Sequence, residues 1–451
     1  MKKHKAEAGG ASRPNLVHIV ADDMGWRDPG HRGGPFRTPR LDALAAESVE
    51  LTRFYVCPVC SPTRAALLTG RYPHRMGLGG PPMQWYENKG LPPGEYTLPE
   101  MLRDAGYRHR AAIGKWHLGN SAACFHPLRR GFTSFYGHYC GAIDYWTHER
   151  AGELDWQRGA DADRTPGYST RLLTDEAVRF IETVPAREPF HLYLAYNAVH
   201  TPLQAPEETV RSYDGADLGG QNPVYAAMMT EMDAGIGRVL DALAGRGMAD
   251  DTLVLFHSDN GGVARDGLGS NRPFRGAKGT TYEGGIRVGA LARWPRRWRG
   301  GRTCDALMGH VDLLPTFAAA AGHALRAPNP LDGLDALPWI DGASPPADRA
   351  LYPDGDAVVT PRWKLAGGAL YDLEADPGET RDVATAHADI RDALHERLGA
   401  FRALEGAPYV PPGLGERKDA APKDWTMPDA AGGDVAGRCG AAGTGPDMGA
   451  P

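Results

Sequence analysis

Cysteine is scarce in this chain. Six residues among 451 are too few for a disulfide framework at this length. Long apolar runs are missing as well. No stretch approaches the roughly 20 residues that a bilayer-crossing helix needs. The basic start, MKKHKAEAGGASRPN, lacks the apolar core of a secretion signal. Together these absences predict a soluble, cytoplasmic protein with no membrane partner, exported only if a leader precedes the sequence. A positive surplus is lacking too: 50 Lys and Arg stand against 56 Asp and Glu, a net charge of -6, which argues against a dedicated nucleic-acid binder. The local exception is Arg293, Arg296, Arg297, Arg299 and Arg302, read either as a solvated loop or as an attraction for an anionic polymer.

Apolar residues at 42 % and charged ones at 24 % are the proportions of a globular chain, and the length suits one large α/β domain with a small companion. Short apolar runs at 16–20, 190–196 and 252–256 predict buried strands, the first of them parallel to its neighbours. Segments 38–48 (with Thr38 as cap), 97–105, 168–184 and 225–243 predict helices. Pro and Gly multiply over 327–346. Short strands at 363–365 and 369–373 and a helix near 390–404 then predict a small antiparallel subdomain. The expected division is a disordered 1–13, a catalytic 14–340, a subdomain 341–406 and a loosely ordered tail 407–451.

Chemistry concentrates at the ends of predicted strands. The first strand runs into ADDMGW (21–26), where Asp22 and Asp23 place two carboxylates side by side. Such a pair is costly to bury unless something positive compensates, and a hard divalent ion with oxygen ligands is the better account. A second oxygen pair, Asp259 and Asn260, follows the strand at 252–256. The segment CPVCSPTRAALLTGR (57–71) carries Cys60 at or just before a helix N-terminus, because Pro62 suits a first turn and Gly70 a left-handed stop. Free N–H groups there favour an anion, and Arg64 lies one turn on, on the same face. Cys57 and Cys60 also have a redox spacing; a disulfide between them is expected to compete with other chemistry at Cys60.

The 57–71 segment resembles the signature of the type I sulfatases, Cys-x-Pro-x-Arg followed by an apolar pair and Thr-Gly. GKWHLG (114–119), NAVHTP (197–202), HSDNG (257–261), FRGAKG (274–279) and YEGGIRV (282–288) resemble the other segments of that family. RRGFTSFYGHYCGAIDYWTHE (129–149) is similar to the arylsulfatase B-like, N-acetylgalactosamine-sulfatase-like branch, whose relatives act on sulfated sugars; Asp144, Tyr145, Trp146 and His148 are its candidate substrate contacts. The resemblance implies an alkaline-phosphatase-like, mostly parallel α/β sheet between helices, with a small C-terminal α+β subdomain. It implies that Asp22, Asp23, Asp259 and Asn260 hold one divalent cation, calcium or else magnesium. Cys60, oxidised to formylglycine by a formylglycine-generating enzyme, is then the nucleophile and a further metal ligand. Asp259 assists its deprotonation, and Arg64 and Lys115 hold it. His200 and Lys278 bind sulfate and protonate the leaving alcohol, and His117 takes the second hydroxyl proton. The implied activity is hydrolysis of a sulfated sugar or aryl sulfate. The competing readings are a phosphomonoester or phosphonate hydrolase on the same fold, and a catalytically silent protein that binds anionic glycans.

Overall fold

The computed structural model describes residues 13–427; the expected disorder of 1–12 and of 428–451 lies outside the described residues. In chain order its main elements are β1 (Asn15–Ala21), α1 (Pro39–Glu47), β2 (Val49–Tyr55), α2 (Cys60–Thr69), α3 (Leu98–Asp104), β3 (His109–Lys115) and β4 (Ser134–His138). Next come α4 (Ser169–Thr183), β5 (Phe190–Ala195), α5 (Pro223–Gly245), β6 (Thr252–Ser258), β7 (Arg287–Arg293) and α6 (Leu313–Ala320). β8 (Leu351–Asp354), β9 (Ala357–Val359), β10 (Trp363–Ala366), β11 (Ala369–Asp372) and α7 (Ala388–Arg402) complete the set.

β1 is buried throughout and largely apolar, with Asn15 and His18 its polar positions. It pairs in parallel with β6 on one side and β5 on the other, and a strand covered on both faces has no solvent side to mark with polar residues. The large sheet runs β2–β7–β6–β1–β5–β3–β4 through its middle, with shorter strands at both edges. Among these seven only β7 points the other way. Val17, Ile19 and Ala21 pack on one face with Leu41 of α1, Leu173 of α4 and Ile236 of α5. Leu16 and Val20 face the opposite layer, with Leu67 of α2, Leu102 of α3 and Leu314 of α6. This is the expected helix-covered parallel sheet. Its consequence for function is that the loops after β1, β3, β5 and β6 leave along the same edge, where ligands bind in such sheets.

Thr38 differs from expectation. Its hydroxyl does not cap α1; it accepts from Gly30 N–H at 2.8 Å and donates to Asp42 at 3.1 Å. A long-range turn has captured the capping group. Thr97 does cap α3, in a reciprocal capping box with Glu100.

β8 to β11 form the antiparallel subdomain sheet, on which Leu394, Leu398 and Phe401 of α7 pack. It is joined to the large sheet by a buried charge network. Lys364 of β10 lies 3.0 Å from Glu283 and 2.7 Å from Glu379, all three fully enclosed. Glu283 also accepts from Tyr55 at 2.7 Å. Four of the five clustered arginines are spent internally: Arg293 pairs with Glu47, Arg296 with Asp251 and Arg297 with Asp341, while Arg302 donates to Ile340 C=O. That favours the solvated-loop reading.

The loose tail is corrected for residues 407–427. Gly90 pairs with Tyr409 and Glu87 with Arg417, and Trp425 is fully buried in the core, its indole N–H donating to Arg150 C=O at 2.9 Å. Average composition hid this, because one aromatic anchor and a few backbone pairings are enough to dock a polar segment. Trp425→Ala is expected to expose 407–427 to limited proteolysis while leaving the body folded. Lys364→Met leaves the buried Glu379 without its cation and Glu283 with only Arg287, at 3.3 Å, and should cost about 3–5 kcal/mol in urea unfolding.

Candidate active site

Three buried carboxylates converge at the carboxyl edge of the sheet. Asp22 and Asp23 extend β1, and Asp259 follows β6; all are essentially inaccessible. The parallel register brings Ala21 opposite Ser258, so residues over two hundred positions apart meet at adjacent strand ends. Asp23 has φ 64°, which turns consecutive side chains into the same crevice. Asp23 N–H approaches Asp259 at 3.3 Å, and Asn260 donates to Asp23 at 2.7 Å.

Three cations face them. Arg64 is fully buried and grips Asp259 through Nη2 at 2.7 Å and Nε at 3.1 Å; its Nη1 donates to Lys115 C=O at 3.1 Å. Lys115, ending β3, contacts Asp22 at 2.5 Å. Lys278 contacts Asp23 at 2.6 Å. Burial raises the pKa of Asp22, and the Asp259 charge adds to that rise. Burial would raise Asp23 and Asp259 also. Lys278 and His200 instead hold Asp23 below its ordinary value, and Arg64, Lys115 and Lys278 hold Asp259 well below. The same carboxylates push the Lys278 ammonium well above its usual range despite burial.

Cys60 opens α2, a helix with every residue buried. Val59 at the cap position supplies no side-chain acceptor, and Gly70 ends the helix with φ 69°, as its position predicts. Cys57 is not bonded to Cys60. Its Sγ lies 3.2 Å from His310 Nε2 in the core, and burial pushes its thiol pKa well up. In the folded chain the partner of Cys57 is a histidine 253 positions away.

The two histidines are held differently. His117, at φ 55°, donates from Nε2 to Met83 C=O at 2.8 Å. Burial and Lys115 keep its pKa well below normal, and with Nε2–H given to the carbonyl its unpartnered Nδ1 carries the lone pair. His200 donates from Nδ1 to Thr201 C=O at 2.6 Å, leaving Nε2 3.7 Å from Asp23.

Among the described residues, Asp22 Oδ1, Asn260 Oδ1 and His117 Nδ1 are buried polar atoms without a hydrogen-bond partner. The two orphaned oxygens, the clustered carboxylates and the grouping of Asp22, Asp23 and His200 ligand atoms within 4.8 Å fit a hard divalent cation.

The four aromatic-segment candidates separate. Tyr145 is buried and donates to Asn197 C=O at 2.6 Å and His200 C=O at 2.8 Å; it braces the His200 turn. Asp144 accepts from Trp146 and Thr147 N–H and from Gln204. His148 is stacked on Trp156 and bonded to Gly167 C=O. Only Trp146 stands out into solvent, 45 % exposed. Two supports escaped the sequence reading. Asn271 ties the 262 and 276 backbones together, and the Met83 carbonyl that orients His117 has no side-chain signature at all.

Fold and site together define an alkaline-phosphatase-like protein whose sheet edge carries a cradle of balanced charge suited to a tetrahedral oxyanion. The chain belongs to the sulfatase family, whose model matches residues 14–323. It is 38 % identical to N-acetylgalactosamine-6-sulfatase from Mus musculus over 358 residues, covering 74 % of this chain and 67 % of that one. It is 36 % identical to arylsulfatase J from Mus musculus over 342 residues, covering 74 % of this chain and 57 % of the relative. Of solved structures, Ps i-CgsB in complex with k-i-k-neocarrahexaose matches with a TM-score of 0.81 at 31 % identity, covering 88 % of this chain and 94 % of that one.

A Cβ built on Gly141 would lie 2.5 Å from the His117 ring. Gly141→Ala should therefore displace the imidazole and lower kcat on an aryl sulfate by about 10²-fold, with thermal unfolding little changed.

Proposed function

We propose that this chain hydrolyses sulfate esters of carbohydrates, using Cys60 matured to formylglycine and one divalent cation, calcium before magnesium. The carrying observation is the buried set of Asp22, Asp23 and Asp259 against Arg64, Lys115 and Lys278, beside the first turn of α2. Three negative charges already meet three positive ones. An added divalent ion leaves the crevice net positive, as an anionic sulfate requires. The cation would be held by Asp22, Asp23, Asp259 and Asn260, together with Cys60 once matured; when bound it supplies a Lewis acid for sulfate oxygens and eases deprotonation of the nucleophile. Conversion of Cys60 supplies a geminal diol, one hydroxyl to attack sulfur and one to drive release of sulfate.

The remaining roles belong to side chains. Lys278 and His200 flank Asp23: Lys278 presents N–H donors to sulfate, while His200, whose Nδ1–H is taken by Thr201 C=O, donates from Nε2 and passes a proton to the departing alcohol only in its imidazolium form. Asp259, kept ionised by Arg64, accepts hydrogen bonds near the nucleophile. Arg64 and Lys115 fix the nucleophile's surroundings, and neutral His117 takes a proton at Nδ1. Since all of Cys60–Thr69 is buried, a formylglycine-generating enzyme must reach this segment before the chain folds. The names of the N-acetylgalactosamine-6-sulfatase relative and of the neocarrahexaose complex favour a sulfated sugar as substrate.

Replacing Cys60 by Ala should lower turnover of an aryl sulfate by at least about 10³-fold, with the fold retained. Dialysis of the mature enzyme against a chelator should abolish activity, and calcium should restore more of it than magnesium. Full activity after chelation, or in Cys60→Ala, would sink this reading.

A further inference from the structure

A second cleft opens along the same edge of the sheet, on the flank away from the aromatic segment. Its volume is about 530 Å³, within the range of ligand pockets. It is walled by the loop after β1 and the loop after β6, the two segments that deliver Asp23 and Asn260. Arg27 comes four residues after Asp23, and the 262–276 stretch follows Asn260. Arg27 and Arg272 line it together with Gln221, Ser270, Asn271 and Phe274.

Its charge is one-sided. Both arginines are exposed, and no Asp or Glu lines the cleft. Arg293, Arg296 and Arg297, by contrast, pair with carboxylates of the chain. Among the described residues Arg27 and Arg272 make no ion pair. Arg27 Nε donates only to Gly33 C=O, at 3.3 Å. Two guanidinium groups thus stand in a polar cleft without a carboxylate partner among the described residues.

The cleft is also mechanically continuous with the reaction site. Asn271 accepts from Gly262 N–H at 2.9 Å and donates to Gly262 C=O at 2.8 Å and Gly276 C=O at 3.2 Å. Lys278 N–H in turn donates to Gly262 C=O at 3.1 Å. One layer of backbone thus separates a cleft wall from the loop carrying Lys278. Phe274 is held edge-on to Trp26, with ring centroids 4.8 Å apart, which gives the wall a rigid apolar element beside the arginines.

We propose that this cleft is a second anion subsite, taking a sulfate or carboxylate borne by another sugar of the glycan whose scissile sulfate lies at Cys60. The proposal rests on the sulfatase reading above and narrows it: the preferred substrate is a polyanionic oligosaccharide rather than an isolated monosulfate. Guanidinium groups suit both anions because their paired N–H donors match two oxygens at once.

The test compares the mature, metal-loaded enzyme with Arg27→Gln/Arg272→Gln on three substrates. These are 4-methylumbelliferyl sulfate, a neutral-sugar oligosaccharide bearing several sulfates, and a uronate-containing oligosaccharide bearing one sulfate. The expected result is unchanged kcat/KM, within twofold, on the small ester. On one or both oligosaccharides kcat/KM should fall about 10- to 100-fold, through KM. The oligosaccharide that suffers identifies sulfate or carboxylate as the second anion. Equal losses on all three substrates, or no loss on either oligosaccharide, would overturn the proposal. Calorimetric binding of the same oligosaccharides to Cys60→Ala, with and without the arginine changes, keeps the two readings apart. Weaker binding on losing the arginines supports the subsite even where turnover fails. Unchanged binding rejects it even where turnover succeeds.

Discussion

Mutual repulsion among Asp22, Asp23 and Asp259 is the constraint around which this molecule is arranged. Three carboxylates shut away from water within one crevice are unfavourable unless matched. The chain matches them with Arg64 from a helix, Lys115 from the end of a strand and Lys278 from a distant loop. Each match fixes a piece of architecture. Arg64 reaches Asp259 only because α2 begins at Cys60 and runs buried beneath the sheet edge. Lys115 reaches Asp22 because β3 ends level with β1 across β5. The balance comes out even among protein groups.

The supports behind those side chains are less obvious and as necessary. The Lys278 loop is held from three directions. Its Gly279 N–H donates to Pro58 C=O at 2.8 Å, next to the Cys60 turn, and Lys278 N–H reaches Gly262. Arg275 donates to Glu379 C=O at 2.9 Å in the C-terminal subdomain. Glu379 in turn joins Lys364 and Glu283 in the buried network between the two sheets. The small subdomain is therefore part of what positions Lys278 against Asp23.

Much of this was legible from residue order alone, and the boundary follows from physics. Carboxylates at the ends of apolar strands, a cysteine ahead of a Pro-initiated helix and a Gly stop are local patterns, and local patterns survive into the structure at Asp22, Asp23, Asp259, Asn260, Cys60 and Gly70. What residue order left open depended on partners far away in sequence. Tyr145 and His148 have the composition of a ligand wall, but their polar atoms are taken by the backbone at 197, 200 and 167. Cys57 has the spacing of a redox pair, yet its sulfur turns to His310. Trp425 sits in a stretch of low average hydrophobicity and docks through a single side chain. Arg293, Arg296 and Arg297 look like a basic patch until Glu47, Asp251 and Asp341 fold against them.

The central claim is that this buried cradle serves a nucleophile made from Cys60. The mass of the peptide containing Cys60, taken from protein purified from its native host, addresses it most directly. The expected result is a peptide lighter than the cysteine form by the difference between a CH2–SH side chain and an aldehyde, accompanied by turnover of sulfate esters. An unmodified cysteine in protein that nonetheless hydrolyses sulfate esters at full rate would contradict it.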